Sequence, residues 1–143
     1  MDHVVYLDAK ARELIKLLEE KKSMLIRGAA GRKLPYGRVK SGDTLYLVEN
    51  DGSGLIKARA VVNFILNSEK MDQDESRDLV DQYQNRLSLT SAQIKRWAGK
   101  RYLVLIGISG IQSVDPFHFD KSEYGNMDDW LPVGDIENVA LRS

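Results

Sequence analysis

Residues 20–43, EKKSMLIRGAAGRKLPYGRVKSGD, decide the fold: the strand signal Met24-Leu25-Ile26 follows a helical stretch and feeds a glycine-punctuated loop that ends in the turn Lys40-Ser41-Gly42-Asp43. The same stretch holds Lys21, Lys22, Arg27, Arg32, Lys33, Arg38 and Lys40, with no acid between Lys21 and Gly42. Local positive potential governs phosphate binding more than whole-chain charge does. The segment therefore points to RNA or another nucleotide-like partner, although the chain as a whole is formally neutral.

Working outward, Val4 to Leu7 is a short strand signal, and Asp8 is placed to N-cap a helix with the apolar stripe Ala11, Leu14, Ile15, Leu17 and Leu18, ending near Lys21 or Lys22. Downstream, Thr44 to Val48 reads as a core strand. Asn50-Asp51-Gly52-Ser53-Gly54 turns the chain into a second strand, with Ile56, Ala58, Ala60, Val62, Phe64 and Leu66 on alternate positions. Residues 72–86 and 89–97 read as two helices, the second N-capped by Thr90, inserted on the sheet. Residues 101–108, RYLVLIGI, carry the strongest strand signal. Residues 111–119 read as a separate returning strand, and the C-terminal stretch beyond Phe119 shows little regular pattern.

Composition narrows the function. The 143 residues fit one domain, 1–143, with 43% hydrophobic and 29% charged residues, as soluble globular chains have. No cysteine is present, which excludes disulfides, Cys-ligated zinc, iron–sulfur clusters and thiol nucleophiles, and makes the cytoplasm the default compartment. No run approaches the roughly 18 apolar residues of a membrane span, so no membrane association is expected. His3 and His118 are the only histidines and lack metal-ligand spacing; neither a metal nor a cofactor is expected. Acids gather instead at residues 69–81 and 115–137, giving a dipolar molecule.

These elements resemble the PUA-like superfamily, and within it the ASCH and EVE type domains. An ASCH signature, GxKxxExR, spans the end of the first helix and the next strand; here Lys22 and Arg27 stand at its spacing, Lys40 to Asp43 supplies the following turn, and Gly54 to Val61 matches the strand after it. Glu20 replaces the signature glycine, and Leu25 stands at the position of its acid. The resemblance implies an α+β fold, a small, partly open β-barrel with a leading helix and an inserted helical pair. It also implies that Lys22 and Arg27 line a cleft that takes RNA or a modified base.

Residue chemistry adds candidates beside that pair. Arg32, Lys33, Arg38 and Lys40 lie on the glycine-rich loop, where cations adapt to a phosphate backbone and Tyr36 offers a stacking face. Trp97, Lys100 and Arg101 extend the same mixture of aromatic and basic groups. Neither GxGxxG nor GxxxxGK[ST] is present, so the glycines are no dinucleotide or Walker fingerprint. Catalysis has one nameable candidate, Lys22, and Leu25 removes the helper its position would supply. The expectation is a non-catalytic domain that binds RNA or a modified nucleobase. The alternatives are a small amidohydrolase or nuclease acting on a nucleoside or RNA, and a protein-interaction module docking through the acidic C-terminal region.

Overall fold

The computed structural model describes residues 1–125 and 128–142. Strand β1 (Asp2–Leu7) leads into helix α1 (Glu13–Leu18), followed by β2 (Met24–Ala29), β3 (Thr44–Glu49) and β4 (Leu55–Asn67). Helices α2 (Gln73–Leu87) and α3 (Ser91–Trp97) precede β5 (Tyr102–Phe119), β6 (Trp130–Gly134), a 3₁₀ turn (Ile136–Asn138) and β7 (Ala140–Leu141). The sheet runs β2-β5-β4-β3-β1-β6, with β7 added beside β5; β1 and β3 are parallel and the other pairs antiparallel.

Strand periodicity explains how this sheet curls. Inward residues alternate as Val5 and Leu7, Leu45 and Leu47, Ala58, Ala60 and Val62, and Val104, Ile106 and Ile108. Leu25 from one edge strand and Trp130 from the other join the same cluster, so the edges of the sheet meet over one core. The result is an α+β fold built on a half-barrel, in which α1 contributes Leu14 and Leu17 to the interior. On the outer face, Met24 and Ile26 of β2 and Leu103 and Leu105 of β5 pack under Val80 and Leu87 of α2 and Trp97 of α3. The two inserted helices thus cover the sheet, each opened by a capping box, Asp72 with Glu75 and Thr90 with Gln93.

Four local features depart from the sequence reading. Asp8 accepts the Ala11 N–H, but the chain then turns through Arg12 at φ 58°, so α1 starts at Glu13 and is shorter than the apolar stripe suggests. The alternation of β4 breaks at bulges, which send Phe64 and Leu66 to the helix-covered face and Ile65 inward. Residues 111–119 are not a returning strand: Gly110, at φ 61°, makes a bulge instead of a turn, and β5 runs on against β4 to Phe119. The C-terminal stretch is also ordered into pairing, since β6 joins β1 and β7 joins β5.

A polar line runs through the barrel interior. The fully buried His3 accepts the Trp130 Nε1–H at Nδ1 (3.1 Å), which leaves its proton on Nε2, 2.8 Å from Asp43 Oδ2. Asp43 also accepts the Lys40 N–H (2.9 Å), with the N-terminal ammonium at 3.4 Å. Burial pushes the imidazole below its ordinary value, more than the Asp43 carboxylate raises it. Burial pushes the Asp43 carboxyl up, but the Lys40 N–H and His3 outweigh it and hold it low. The unfolded chain therefore binds a proton at His3 near pH 6.5 that the folded chain refuses, so this contribution is complete above pH 6.5 and is lost as pH falls below it. Thermal unfolding should show a melting temperature that declines from about pH 6.5 downward, and His3→Gln should flatten the pH 6.5 to 5.5 segment. An unchanged slope in the variant would assign the decline to other groups.

Candidate functional site

Beside the seam where the two edges of the sheet meet lies a cleft of about 360 Å³, walled by β1, β2, α3, the β3–β4 turn and the segment before β6; a larger hollow of about 550 Å³ lies elsewhere, between Tyr46, Arg59 and Phe117. Arg27 lies two residues after Leu25 and so faces inward with it. It is 8% exposed, and its guanidinium reaches across the seam to donate to Tyr6 O (2.6 Å) on β1 and to its neighbour Ile26 O (2.8 Å). Its Nε lies 3.2 Å from Asp129 Oδ2 but makes no hydrogen bond. The charge sits between the rings of Trp97 and Trp130, 6.0 and 5.7 Å from their centroids.

Helix α3 supplies the opposite chemistry. Gln93 and Trp97 are one helical turn apart and share the buried face, while Arg96 lies over the Trp97 ring at 4.4 Å. Asn50, from the β3–β4 turn, accepts the Ala9 N–H (2.8 Å), and Lys121 lies over the Tyr6 ring at 4.7 Å. An aromatic ring, cations and amides therefore converge on a space sized for a small ligand.

At the cleft floor, Glu13 accepts the Asp8 N–H (2.7 Å) at Oε1 and pairs with Lys22 Nζ (3.2 Å) at Oε2. Lys22 also donates to Leu87 O at the end of α2. Burial pushes the Glu13 carboxyl up, yet Lys22, Arg27 and the Asp8 N–H together hold it below its ordinary range. Burial pushes the Lys22 ammonium down, more than Glu13 raises it. The carboxylate stays ionised, and the ammonium holds its proton less tightly than a surface lysine does.

The structure gathers some of the sequence candidates and separates others. Arg27 and Trp97 line the cleft. Lys33 lies in a small hollow with Asp128, Asp129 and Trp130, beside the cleft wall. Arg32 rests over Tyr36 and Tyr102 (5.7 and 5.6 Å), and Tyr36 is anchored by its hydroxyl to Ser68 O (2.6 Å), with its ring edge-on to Tyr102. Arg38, Lys40, Lys100 and Arg101 are exposed and do not line the cleft. The Lys22 side chain is 0% exposed, so its amine faces Glu13 and Leu87 instead of solvent. Sequence reasoning passed over Tyr6, Asn50, Gln93 and Arg96, and read Asp129 as part of an acidic docking region and not of a cleft; only the helical spacing of Gln93, Arg96 and Trp97 carried a readable signal. Among the described residues, no group of three or more His, Cys, Asp or Glu is arranged to hold a metal ion, and no helix is long and apolar enough to cross a membrane.

No protein-family model matches the chain, and no curated protein does. Solved structures do. A crystal structure of ASCH from Zymomonas mobilis superposes with a TM-score of 0.66 at 14% identity, covering 96% of this chain and 92% of that one. The fold is that of an ASCH domain. Two substituted forms of the Zymomonas mobilis protein agree, with TM-scores of 0.64 over 90% of this chain and 84% of that one, and 0.62 over 82% and 73%, both at 14% identity. The half-barrel is thus shared in its overall fold with the Zymomonas mobilis ASCH structures. At 14% identity the likeness speaks for the fold alone, and within that ASCH fold the chemistry rests on this chain's own residues.

Proposed function

We propose that this ASCH-fold domain binds RNA, holding one base in the cleft beside Trp97 and guiding the backbone with the exposed cations around it, without catalysing a reaction. The observation that carries this reading is the convergence of Trp97, Arg96 and Arg27 in a cleft of single-nucleoside size. Arg96 lies over the buried Trp97 ring, so the exposed guanidinium backed by the ring is the surface on which a base can stack without regard to its sequence. Lys33 and Arg38 extend positive charge along the neighbouring loop, where phosphates of the same strand would pass. Binding is favoured over turnover because Lys22 is enclosed, with its amine committed to Glu13 and Leu87. A cytoplasmic location belongs to the same reading.

The test is fluorescence anisotropy with single-stranded RNA, duplex RNA and single-stranded DNA over a salt series. Single-stranded RNA should bind best. Trp97→Leu, which keeps apolar volume in the helix-covered cluster and removes the ring, should weaken it by about 1–3 kcal/mol. Lys33→Glu with Arg38→Glu should lower the slope of log affinity against log salt by about 1 to 1.5. Affinity unchanged by Trp97→Leu in a folded protein would remove the cleft from the reading.

A further inference from the structure

We infer that the cleft takes a phosphate beside the base, received by the Nε edge of Arg27 in place of the Asp129 carboxylate, so that a phosphate-bearing nucleotide is preferred over the free nucleoside. The inference rests on the proposed base binding and on how the charge of Arg27 is met in the folded chain.

Among the described residues, Arg27 Nε is the one buried side-chain nitrogen or oxygen without a hydrogen bond. Such atoms are rare in folded proteins, because an enclosed donor with no aligned acceptor costs stability, and each calls for an explanation. The rest of the guanidinium is fixed. Nη1 donates to Ile26 O (2.8 Å) and Nη2 to Tyr6 O (2.6 Å), so carbonyls on two strands set the plane of the group. Arg27 cannot turn its Nε–H toward another acceptor without losing them. Neither carbonyl carries a net charge, so the enclosed cation still needs an anion.

Asp129 meets that need incompletely. Its Oδ2 lies 3.2 Å from Nε, within ion-pair range, yet without the alignment of a hydrogen bond, and its carboxylate accepts no hydrogen bond among the described residues. The side chain is 43% exposed where it lines the cleft, whereas the backbone carbonyl of the same residue is pinned by the Tyr6 N–H (2.9 Å). Rotation of the side chain alone therefore frees Arg27, with the strands left in place. The charges of the walls point the same way. Glu13 is paired with Lys22, and Asp8 and Asp128 stand against Arg96 and Lys121, so once Asp129 turns to solvent the charge of Arg27 is the uncompensated one. A phosphate oxygen entering with the ligand can align with the Nε–H, and hydrogen bonds between two charged groups are the strong ones.

Calorimetric titration of adenosine, its 5′-monophosphate and its 3′-monophosphate into the wild type, Asp129→Asn and Asp128→Asn tests the assignment. One of the monophosphates should bind the wild type about tenfold tighter than adenosine. Asp129→Asn removes the competing charge at constant volume, and the ratio of monophosphate to adenosine affinity should rise by about a further three- to tenfold. Asp128→Asn removes an equal charge from the same walls but makes no ion pair with Arg27, so its rise should be smaller. In ¹H–¹⁵N spectra the Arg27 Nε–H signal should move with the monophosphate more than with adenosine. Monophosphates that bind no tighter than adenosine, a ratio that falls in Asp129→Asn, or equal rises in the two variants would overturn the phosphate site, while adenosine binding keeps the base reading in place. Saturable binding of none of the three ligands would overturn both.

Discussion

Lys22→Met is expected to cost about 3–5 kcal/mol of folding stability, because it leaves the Glu13 carboxylate buried without its counter-charge and removes the donor to Leu87 O. The loss is larger than the substitution of an exposed lysine produces, since surface ion pairs contribute only about 0–1 kcal/mol. Adding Glu13→Gln should recover more than half of it. The amide oxygen can still accept the Asp8 N–H, and no charge is then left in the low-dielectric interior. Denaturant unfolding of the wild type, both single variants and the double variant gives the coupling directly. Additive losses in the double variant would mean that the two groups do not act as a pair.

Trp130→Ala should be comparably damaging, at about 3–5 kcal/mol, because the indole is 1% exposed and fills the place where the two edges of the sheet meet. Its effect has a polar part that can be separated. Trp130→Phe removes the N–H together with part of the indole, leaving His3 Nδ1 as an unpaired acceptor inside the barrel, and the unpaired nitrogen alone costs about 1–3 kcal/mol. With that donor gone, His3 Nδ1 is free to take up a proton while Nε2 stays on Asp43, so the phenylalanine variant should also show a weaker decline of stability below pH 6.5. Equal stability of the Trp130→Phe variant and the wild type would mean that the indole N–H contributes nothing, and that the ring volume alone closes the seam.

Much of this architecture is legible in the chain, and the reasons for the misses are physical. Strands β2, β3 and β4 declare themselves through apolar runs between turn residues, and α3 through Thr90, because these signals are local. Strand β6 is not visible in Trp130-Leu131-Pro132-Val133, since its only support is pairing with β1 at the far end of the chain. The unity of β5, read as two separate strands, depends on Gly110, which acts as a bulge and lets the strand run on. The cleft is less legible still. Charge marks the basic loop, and spacing marks Arg27 and Trp97, but Asn50, Gln93 and Asp129 come from three separate elements and matter only once their backbone partners are known. Lys22 stands out by charge and spacing alike, whereas its environment is set by Glu13 and by the end of α2, which no local pattern reveals.

The chain contains two tryptophans, one at the cleft and one inside the barrel, and they make the central claim directly measurable. In ¹H–¹⁵N spectra their two indole N–H signals can be followed while single-stranded RNA is added at low salt. Base binding in the cleft predicts a saturable shift of the Trp97 signal that reverses as salt is raised, with a much smaller change at Trp130, whose N–H is held by His3. Saturable RNA binding that leaves Trp97 unmoved would contradict the account and place the RNA elsewhere on the domain.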